Sequence, residues 1–287
     1  MRILVTGAGG QLGAAVVHQC RGVHDVAAFS RSELDIRDDA AVAAAVERVK
    51  PALIVNGAAL TDVDRAEAEP VEALQVNAFG PRALAREARK QGATLVHYST
   101  DFVFDGTASQ PYRETDRPNP QSTYAASKLL GEWFALDADR AYVLRVESLF
   151  GRAPDGPAEK GSVAAIMKAM LAGGSPQVFV DRTISPTHVR DAARATMELV
   201  ARGAPPGIYH CVNSGSCTWL EFATELARQL GVQPRFTPVR MADVKLKAPR
   251  PLYCALSNEK LRSLGIGMPT WQDAVARLVA DRHLARR

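Results

Sequence analysis

Short apolar runs rich in β-branched residues alternate with longer amphipathic stretches through the first half of the chain. The short runs predict strands at residues 2–6, 25–30, 53–59, 94–100 and 141–150. The amphipathic stretches predict helices at residues 12–20, 39–49, 71–91 and 123–136. Because each connection between parallel strands needs a crossover that a helix supplies, this alternation predicts an α/β fold with a doubly wound parallel sheet.

The pattern becomes less regular after Gly151. A Gly/Pro-rich loop is predicted at residues 152–161, helices at 162–171, 188–202, 219–230 and 271–282, and strands at 177–180 and 208–212. We therefore expect a first domain over residues 1–150, to which segments near 181–212 return. A smaller α/β lobe over residues 151–287 is expected to cover a substrate.

Composition narrows the class of protein. With 287 residues, of which 47% are hydrophobic, the chain can bury a large core. A net charge of +4 suits an anionic ligand, but the absence of a dense Lys/Arg stripe argues against a nucleic-acid partner. No apolar run reaches the roughly 20 residues that span a bilayer, and no signal-peptide pattern opens the sequence. These features predict a cytoplasmic protein with no membrane partner.

The cysteines and histidines do not form a pattern typical of metal sites or disulfides. Cys20, Cys211, Cys217 and Cys254 are irregularly spaced, without a CxxC pair, and are expected to be buried thiols. The six histidines are scattered, and His97, inside an apolar run, is expected to be a hydrogen-bonded core residue. No metal is predicted in the chemistry.

A glycine-rich turn joins the first predicted strand to the first predicted helix. It reads Gly7-Ala8-Gly9-Gly10-Gln11-Leu12-Gly13. In this pattern Gly7 permits a tight turn, Gly10 lets backbone amides approach a pyrophosphate, and Gly13 lets the helix pack closely on the strand. The turn predicts a dinucleotide-binding, Rossmann-like domain, with a tight turn that binds no ligand as the alternative.

The end of the second predicted strand bears on the choice of cofactor. An acidic residue there binds a ribose 2′-hydroxyl, whereas a basic residue accommodates a 2′-phosphate. The strand ends at Ser30-Arg31, which favours NADPH, with NADH as the other candidate cofactor and a solvated surface charge as the other role of Arg31. After the third strand, the small residues of Asn56-Gly57-Ala58-Ala59 suit either a backbone that lies against the cofactor or simple packing.

Three residues predict a catalytic site. Thr100 ends the fourth predicted strand, where open α/β sheets place their ligands. Tyr124 and Lys128 begin a helix and share one face of it, because residues four apart are neighbours on a helix. We expect the Lys128 ammonium to lower the pKa of Tyr124, so that the phenol can act as an acid. A YxxxK pair alone also occurs on helix surfaces, but its combination with the glycine turn and Thr100 is more specific.

These motifs together resemble the extended short-chain dehydrogenase/reductase superfamily, and further segments resemble its dTDP-4-dehydrorhamnose reductase family over nearly the whole chain. The segments include SELDIRD around Asp35, Thr61-Asp62-Val63-Asp64, Asn77-Ala78-Phe79-Gly80, STDFVFDG at residues 99–106, YRETD at 112–116, Ser185-Pro186-Thr187, and Arg250-Pro251. The resemblance implies hydride transfer from a reduced nicotinamide to C4 of a 4-keto-6-deoxy sugar on a nucleoside diphosphate. The expected reaction converts dTDP-4-dehydro-L-rhamnose to dTDP-L-rhamnose.

The resemblance also implies roles for particular residues. Tyr124 donates the proton, Thr100 binds the carbonyl, and Lys128 also holds the nicotinamide ribose. The expected cofactor-binding residues are Gly7, Gly10, Gln11, Leu12, Gly13, Ser30, Arg31, Asp35, Ile36, Ala58, Ala59, Thr61, Tyr124 and Lys128. The expected substrate-binding residues are Thr100, Asp101, Phe102, Ser148, Arg182 and Arg250, the two arginines toward the diphosphate or, equally, as surface charges.

Two positions depart from the family pattern. Ser148 stands where the reductases commonly have a Trp that contacts the sugar, and Phe102 replaces a Tyr. The reaction type is therefore a firmer prediction than the identity of the sugar. Two other roles stay open, a nucleotide-sugar epimerase or dehydratase, and a non-catalytic NADP-binding subunit resembling the β subunit of methionine adenosyltransferase. A dehydratase needs an Asp-Glu pair beside the catalytic Thr, and Thr100-Asp101-Phe102 lacks it. The sequence also leaves a homodimer open.

Overall fold

A computed structural model describes residues 1–284 of the chain. Its strands are β1 Arg2–Thr6, β2 Asp25–Phe29, β3 Leu53–Asn56, β4 Thr94–Thr100, β5 Ala141–Val146, β6 Leu149–Phe150, β7 Gln177–Phe179, β8 Thr183–Ile184, β9 Thr187–His188, β10 Gly207–His210, β11 Cys217–Thr218 and β12 Thr237–Val239. Its α-helices are α1 Gln11–Cys20, α2 Asp39–Val49, α3 Val63–Ala68, α4 Pro70–Leu74, α5 Gly80–Gln91, α6 Thr123–Ala135, α7 Ser162–Leu171, α8 Val189–Ala201, α9 Trp219–Leu230, α10 Glu259–Ser263 and α11 Trp271–Leu284.

A parallel sheet forms the centre of the molecule, in the order β10-β5-β4-β3-β1-β2. The order reverses between β1 and β3, so that helices cover both faces, as in doubly wound folds. Two hydrophobic clusters lie on the two faces of the sheet, one under α1 and α8 and the other under α2 and α5. The predicted α/β fold with a doubly wound parallel sheet is confirmed.

The predicted strands run longer than the observed ones where the chain leaves the sheet. The strand predicted at residues 53–59 ends at Asn56, and the one predicted at 141–150 ends at Val146. Ser148 has a φ of 42°, in the left-handed region that a β-strand cannot contain. The chain therefore turns there, and the following residues pair in β6 with β9 instead of continuing the sheet.

The single helix predicted at residues 71–91 is interrupted by a π-helical turn, Gln75–Phe79. Pro81 has no amide hydrogen to donate to the carbonyl oxygen of Asn77, four residues earlier, so the regular α-helical ladder cannot pass this point. The Gly80 amide bonds instead to the carbonyl of Gln75, five residues back. The sequence patterns also missed α3, which begins after an Asp62 side chain that accepts a hydrogen bond from the Arg65 amide.

The second half of the chain builds a further hydrophobic cluster from α7, α9 and α11. The second half of the chain also contributes β10 to the central sheet, where β10 pairs with β5 in parallel. The division into domains at residue 150 stays a prediction, and the last three residues of the expected lobe lie outside the described residues. Within residues 1–284, no helix combines the length and apolar character that a membrane crossing needs.

Candidate active site

The glycine turn brings the start of α1 against the end of β1. Gly7 has a φ of 65°, and a Cβ placed on it would lie 2.5 Å from the backbone of Gly57 and Ala58. A Cβ on Gly13 would lie 2.2 Å from the carbonyl oxygen of Gly7. Only glycine allows either approach, because real Cβ contacts below about 3 Å are not found. The predicted reasons for these two glycines therefore hold in the structure.

The first turn of α1 faces a cavity. Its N-cap residue, Gly10, provides no side chain to occupy the free amides of the helix, and residues 9–13 line the cavity. These amides and the positive end of the helix dipole suit a pyrophosphate. The Gln11 side chain donates to the Gly151 carbonyl at 2.9 Å and accepts from the Lys160 amide at 3.2 Å, so it also ties α1 to the predicted loop.

The end of β2 holds a group of charged residues outside the cavity lining. Arg31 donates to Glu72 at 3.2 Å, and the Arg37 guanidinium also lies 3.6 Å from that carboxylate. Asp35 accepts hydrogen bonds from Arg37, which lower the pKa of its carboxyl. Ser30 bonds to Glu33 through its hydroxyl. Sequence reasoning missed Arg37, although it stands only six residues after Arg31 in the same charged segment.

The other residues predicted to bind the cofactor divide into two groups. Ala58, Ala59 and Thr61, after β3, line the same cavity as the first turn of α1. Ile36 does not, because it is 3% exposed and its side chain packs where a Cβ on Gly80 would stand, within 2.5 Å. The Ile36 side chain therefore packs in the core, and the expected contact of Ile36 with a cofactor stays a prediction.

Thr100, Tyr124 and Lys128 reach the cavity from two adjoining elements. Thr100 is the last residue of β4, and its hydroxyl donates to Asp101 at 2.9 Å. Tyr124 and Lys128 lie on the first two turns of α6, whose start is fixed by the Ser122 side chain capping the Ala125 amide. All three line the cavity with Gly9–Gly13, so the structure brings together the predicted catalytic residues and the glycine turn.

The pKa of the Tyr124 phenol is raised rather than lowered in this structure, so the expected effect of Lys128 stays a prediction. Burial raises the pKa of the Tyr124 phenol, and the Thr100 hydroxyl lowers it only in part. The Lys128 ammonium donates to the Tyr98 carbonyl at 2.6 Å rather than to the phenol. Burial also lowers the pKa of Lys128 to about 8, because an ammonium removed from water is less stable. With a pKa of about 8 the lysine still carries its charge at neutral pH and loses it at mildly alkaline pH.

The cavity has a volume of about 560 Å³ and two chemically different regions. We call residues 9–13 the glycine end. We call Asp101, Glu147 and Arg182 the carboxyl end, in which the two acids are buried and the arginine is partly buried. Phe102, Ser148 and Trp219 line the cavity as well. Trp219, at the start of α9, is an aromatic lining residue that sequence reasoning missed. Ser148 occupies the position at which the reductases commonly have a Trp.

Arg182 and Arg250 have different surroundings, although both were predicted to contact a diphosphate. The Arg182 guanidinium stacks 5.2 Å above the Phe102 ring and lines the cavity. Arg250 is not part of the lining; it pairs with Asp64 at 3.1 Å and bonds to the Ala248 carbonyl. Its charge is already satisfied, so the structure does not bring Arg250 to the predicted site.

The structure brings a glutamate beside Asp101 from elsewhere in the chain, although Thr100-Asp101-Phe102 lacks the adjacent Asp-Glu pair that a dehydratase needs. Phe102 follows Asp101 in sequence, but the end of β5 carries Glu147 to Asp101 in space. One oxygen of each carboxyl and the Cys254 sulfur lie within 4.8 Å of one another. The available signal was a charged residue, Glu147, inside the apolar run predicted as a strand at residues 141–150. These three groups are metal-ligand types, but Arg182 already provides a positive charge, 3.5 Å from the Cys254 sulfur.

Buried polar networks support the sheet ends that carry the site. His97 is 1% exposed and accepts from the Asn56 amide at 3.0 Å, so its predicted role as a hydrogen-bonded core residue is confirmed. Glu132 of α6 forms a bidentate pair with Arg145 of β5 and accepts from Ser99 at 2.6 Å. The pair therefore links α6, β4 and β5 directly behind the cavity.

Comparisons with known proteins agree with the family inferred from the sequence motifs, and they extend over the whole described chain. A family model described as the RmlD substrate binding domain matches residues 1–284. The spore coat polysaccharide biosynthesis protein SpsK of Bacillus subtilis is 35% identical and covers 99% of each chain. A dTDP-4-dehydrorhamnose reductase of Streptomyces griseus is 38% identical over 92% of this chain and 88% of that protein.

A solved structure has the same fold. The dTDP-4-dehydrorhamnose reductase of Bacillus anthracis, in complex with NADP, gives a TM-score of 0.91 at 31% identity and covers 98% of this chain and 99% of that one. The resemblance inferred from the sequence motifs is therefore confirmed. The chain belongs to the dTDP-4-dehydrorhamnose reductase family of oxidoreductases.

Proposed function

We propose that the protein reduces the 4-keto group of a nucleotide-linked 4-keto-6-deoxy sugar with NADPH, its substrate being dTDP-4-dehydro-L-rhamnose and its product dTDP-L-rhamnose. The observation that carries this proposal is one cavity lined by Thr100, Tyr124, Lys128 and the glycine end. A hydroxyl that can bind a carbonyl, a proton donor and a dinucleotide site can then meet at one substrate. Relatives named as reductases of dTDP-linked sugars indicate the nucleotide-sugar class.

The glycine end has the features that a dinucleotide needs. The close approach at Gly13 and the uncapped amides at the start of α1 leave a cradle that a Cβ would fill. Ala58, Ala59 and Thr61 extend this wall, and Arg31 lies at the end of β2, where a 2′-phosphate is accommodated. NADPH bound there supplies the hydride.

The chain's own residues provide the rest of the chemistry. On substrate binding the Thr100 hydroxyl turns its single hydrogen from Asp101 to the carbonyl oxygen and polarises the C=O bond. As the carbonyl carbon gains a hydride, Tyr124 gives its phenolic proton to the oxygen, which leaves an alcohol and a phenolate. Lys128, on the same face of α6, stabilises that phenolate with its positive charge. Burial raises the pKa of Tyr124, so the phenolate needs this stabilisation.

The expected two-lobe organisation places the sugar nucleotide between the sheet ends and the second half of the chain. Trp219 of α9 and Arg182, which follows β7, line the cavity from that half. They line the same cavity as Thr100, the last residue of β4, and Phe102, which lies just after that strand. The sugar therefore lies at the carboxyl end, with its carbonyl toward Thr100.

The test is stoichiometric turnover. Purified protein is mixed with NADPH and a panel of nucleoside-diphosphate 4-keto-6-deoxy sugars, and the loss of reduced-nicotinamide absorbance is compared with product formation. One NADPH consumed per alcohol formed is expected. Sugar conversion without net consumption would replace the proposal with an epimerase or dehydratase. Cofactor binding without conversion of any sugar would replace it with a regulatory subunit.

A further inference from the structure

The carboxyl end consists of two acids brought together by neighbouring strands. Asp101 directly follows β4 and Glu147 directly follows β5, and these strands pair through Thr100 and Val146. The two side chains belong to residues that are 3% and 2% exposed, yet both line the cavity. Burying two acids this close together is unfavourable unless their charge and their hydrogen bonds are satisfied.

Each acid has one satisfied oxygen and one unsatisfied oxygen. Asp101 Oδ1 accepts from the Thr100 hydroxyl at 2.9 Å, and Glu147 Oε2 accepts from the Ser185 amide at 2.6 Å. Within residues 1–284, Asp101 Oδ2 and Glu147 Oε1 are buried and have no hydrogen-bond partner. Buried polar atoms in native proteins are nearly always paired. Both residues line one cavity, and their unsatisfied oxygens therefore indicate a polar ligand there.

The local charge allows one carboxylate and one carboxylic acid. Arg182 contributes one positive charge beside both acids, while burial raises the pKa of the Cys254 thiol and keeps it neutral. Burial, and then the charge of Asp101, raises the pKa of Glu147 well above its ordinary value. Burial raises the pKa of Asp101 as well, but Arg182 and the Thr100 hydroxyl oppose that change. Glu147 is thus the acid that keeps its proton.

We infer that Asp101 and Glu147 bind one hydroxyl group of the sugar, on the carbon next to the carbonyl carbon. A hydroxyl both donates and accepts a hydrogen bond. It donates to the free oxygen of the Asp101 carboxylate and accepts from the Glu147 carboxylic acid. This inference rests on the proposed function, because it takes the Thr100 hydroxyl as the carbonyl-binding group.

The chemistry of the substrate class identifies the hydroxyl. In a 4-keto-6-deoxy sugar the carbonyl carbon has two neighbours, C3 and C5. C5 carries a methyl group and the ring oxygen, so the only hydroxyl on a neighbouring carbon is at C3. Asp101 lies beside Thr100, within one hydrogen bond of its hydroxyl, which places the pair next to the carbonyl rather than at the distant nucleoside. The carboxyl end therefore selects sugars that keep the 3-hydroxyl.

The experiment compares two substrates that differ only at C3. The dTDP-4-keto-6-deoxy sugar and its 3-deoxy analogue are assayed with saturating NADPH, and the ratio of their kcat/KM values is the readout. We expect the wild-type protein to prefer the 3-hydroxyl sugar by roughly 10- to 100-fold, the range of a hydrogen bond to a charged group. Affinities of the two sugar nucleotides for the NADP-loaded protein are measured in parallel.

Two substitutions of similar volume distinguish recognition from a structural role. Glu147→Gln keeps an acceptor for the Ser185 amide and a donor for the sugar, so most of the preference is retained. Glu147→Met has neither group, and the ratio falls to near one. Glu225→Gln is the control, since Glu225 forms a surface ion pair with Arg228. Thermal unfolding is recorded for each variant. If Glu147→Met does not fold, Asp101→Leu replaces it in the same assay, and the ratio should again fall to near one because leucine has no acceptor for the hydroxyl.

The outcomes separate this inference from the proposed function. If the wild-type protein turns over both sugars equally, or if Glu147→Met slows both by the same factor, recognition of the 3-hydroxyl is overturned while the reductase stands. If no sugar is reduced or bound, the proposed function falls and this inference falls with it. Zn²⁺ titration is a further test. Saturable zinc binding that Glu147→Gln abolishes would identify a metal site instead and overturn the inference.

Discussion

The glycine end and the carboxyl end of the cavity are built from opposite materials. At the glycine end, backbone amides and the absence of side chains create the site, and a single added Cβ would collide with the Gly7 carbonyl. At the carboxyl end, buried charged side chains create it, and their balance depends on Arg182. We expect the first region to recognise a ligand by its shape and by the helix dipole. We expect the second to recognise a ligand by charge and by hydrogen bonds from a carboxylic acid and to a carboxylate. Changes at the two ends should therefore fail in different ways.

The largest effect is expected at Tyr124, which acts on the group that both ends position. Tyr124→Phe removes the proton donor but keeps the ring that packs against Phe102 at 5.6 Å. Turnover should fall roughly 10²- to 10⁴-fold, the usual contribution of a general acid, with NADPH affinity unchanged. Tyr209→Phe is the control, because its hydroxyl bonds to the Pro205 carbonyl outside the cavity lining. Full activity in Tyr124→Phe would exclude the phenol as donor.

The next effect tests shape at the glycine end. Gly13→Ala places a Cβ 2.2 Å from the Gly7 carbonyl oxygen, so α1 must move away from β1. We expect a loss of roughly 1–3 kcal/mol in the free energy of unfolding, the usual cost of overpacking, together with loss of NADPH binding. Gly267→Ala is the control, since nothing lies within 4 Å of its added Cβ. Denaturant unfolding and cofactor titration measure the two quantities. Unchanged NADPH affinity in Gly13→Ala would contradict the cradle.

A third prediction concerns the charge of Lys128. Its pKa in the folded protein is about 8, below its ordinary value of 10.5, so charging it costs more in the folded than in the unfolded chain. That cost is fully present below about pH 8 and disappears as the pH rises toward the unfolded pKa. Lys128→Met should therefore raise the free energy of unfolding by roughly 1–3 kcal/mol at neutral pH while abolishing turnover.

The measurement for Lys128 is denaturant unfolding at neutral and alkaline pH, with the exposed Lys90→Met as the control. The difference between wild type and Lys128→Met should shrink as the pH rises. A variant that is less stable than wild type at neutral pH would show that the bond to the Tyr98 carbonyl outweighs the burial cost.

The smallest effect is expected at the edge of the glycine end. Arg31→Ala should weaken NADPH roughly tenfold, by loss of one charged contact to the 2′-phosphate, and should leave NADH nearly unchanged. Arg31 is exposed and also pairs with Glu72, which limits the loss. Arg262→Ala, which removes an equally exposed arginine, should affect neither cofactor. An equal loss for both cofactors would make Arg31 a surface charge only.

The two ends also differ in how far the sequence predicted them. Gly7, Gly13, Tyr124 and Lys128 lie in short segments whose spacing within a turn or a helix is set by local geometry, and their arrangement was predictable. Glu147 and Arg182 meet Asp101 only through strand pairing and a return from the second half of the chain. No spacing along the sequence encodes such a contact. The π-helical turn was missed for a different reason, because the missing amide hydrogen of Pro81 interrupts a hydrophobic pattern that is helical on both sides.

The close contact of Gly13 with Gly7 has a consequence for how such an enzyme can diverge. One pair of residues both packs α1 on the sheet and shapes the proposed cradle for the dinucleotide, so a change at either residue should cost stability and cofactor binding together. Residues that follow β4 and β5 carry no such double requirement. A descendant of this protein can therefore acquire a new sugar by changing the residues after two strands, while the hydride chemistry is inherited unchanged.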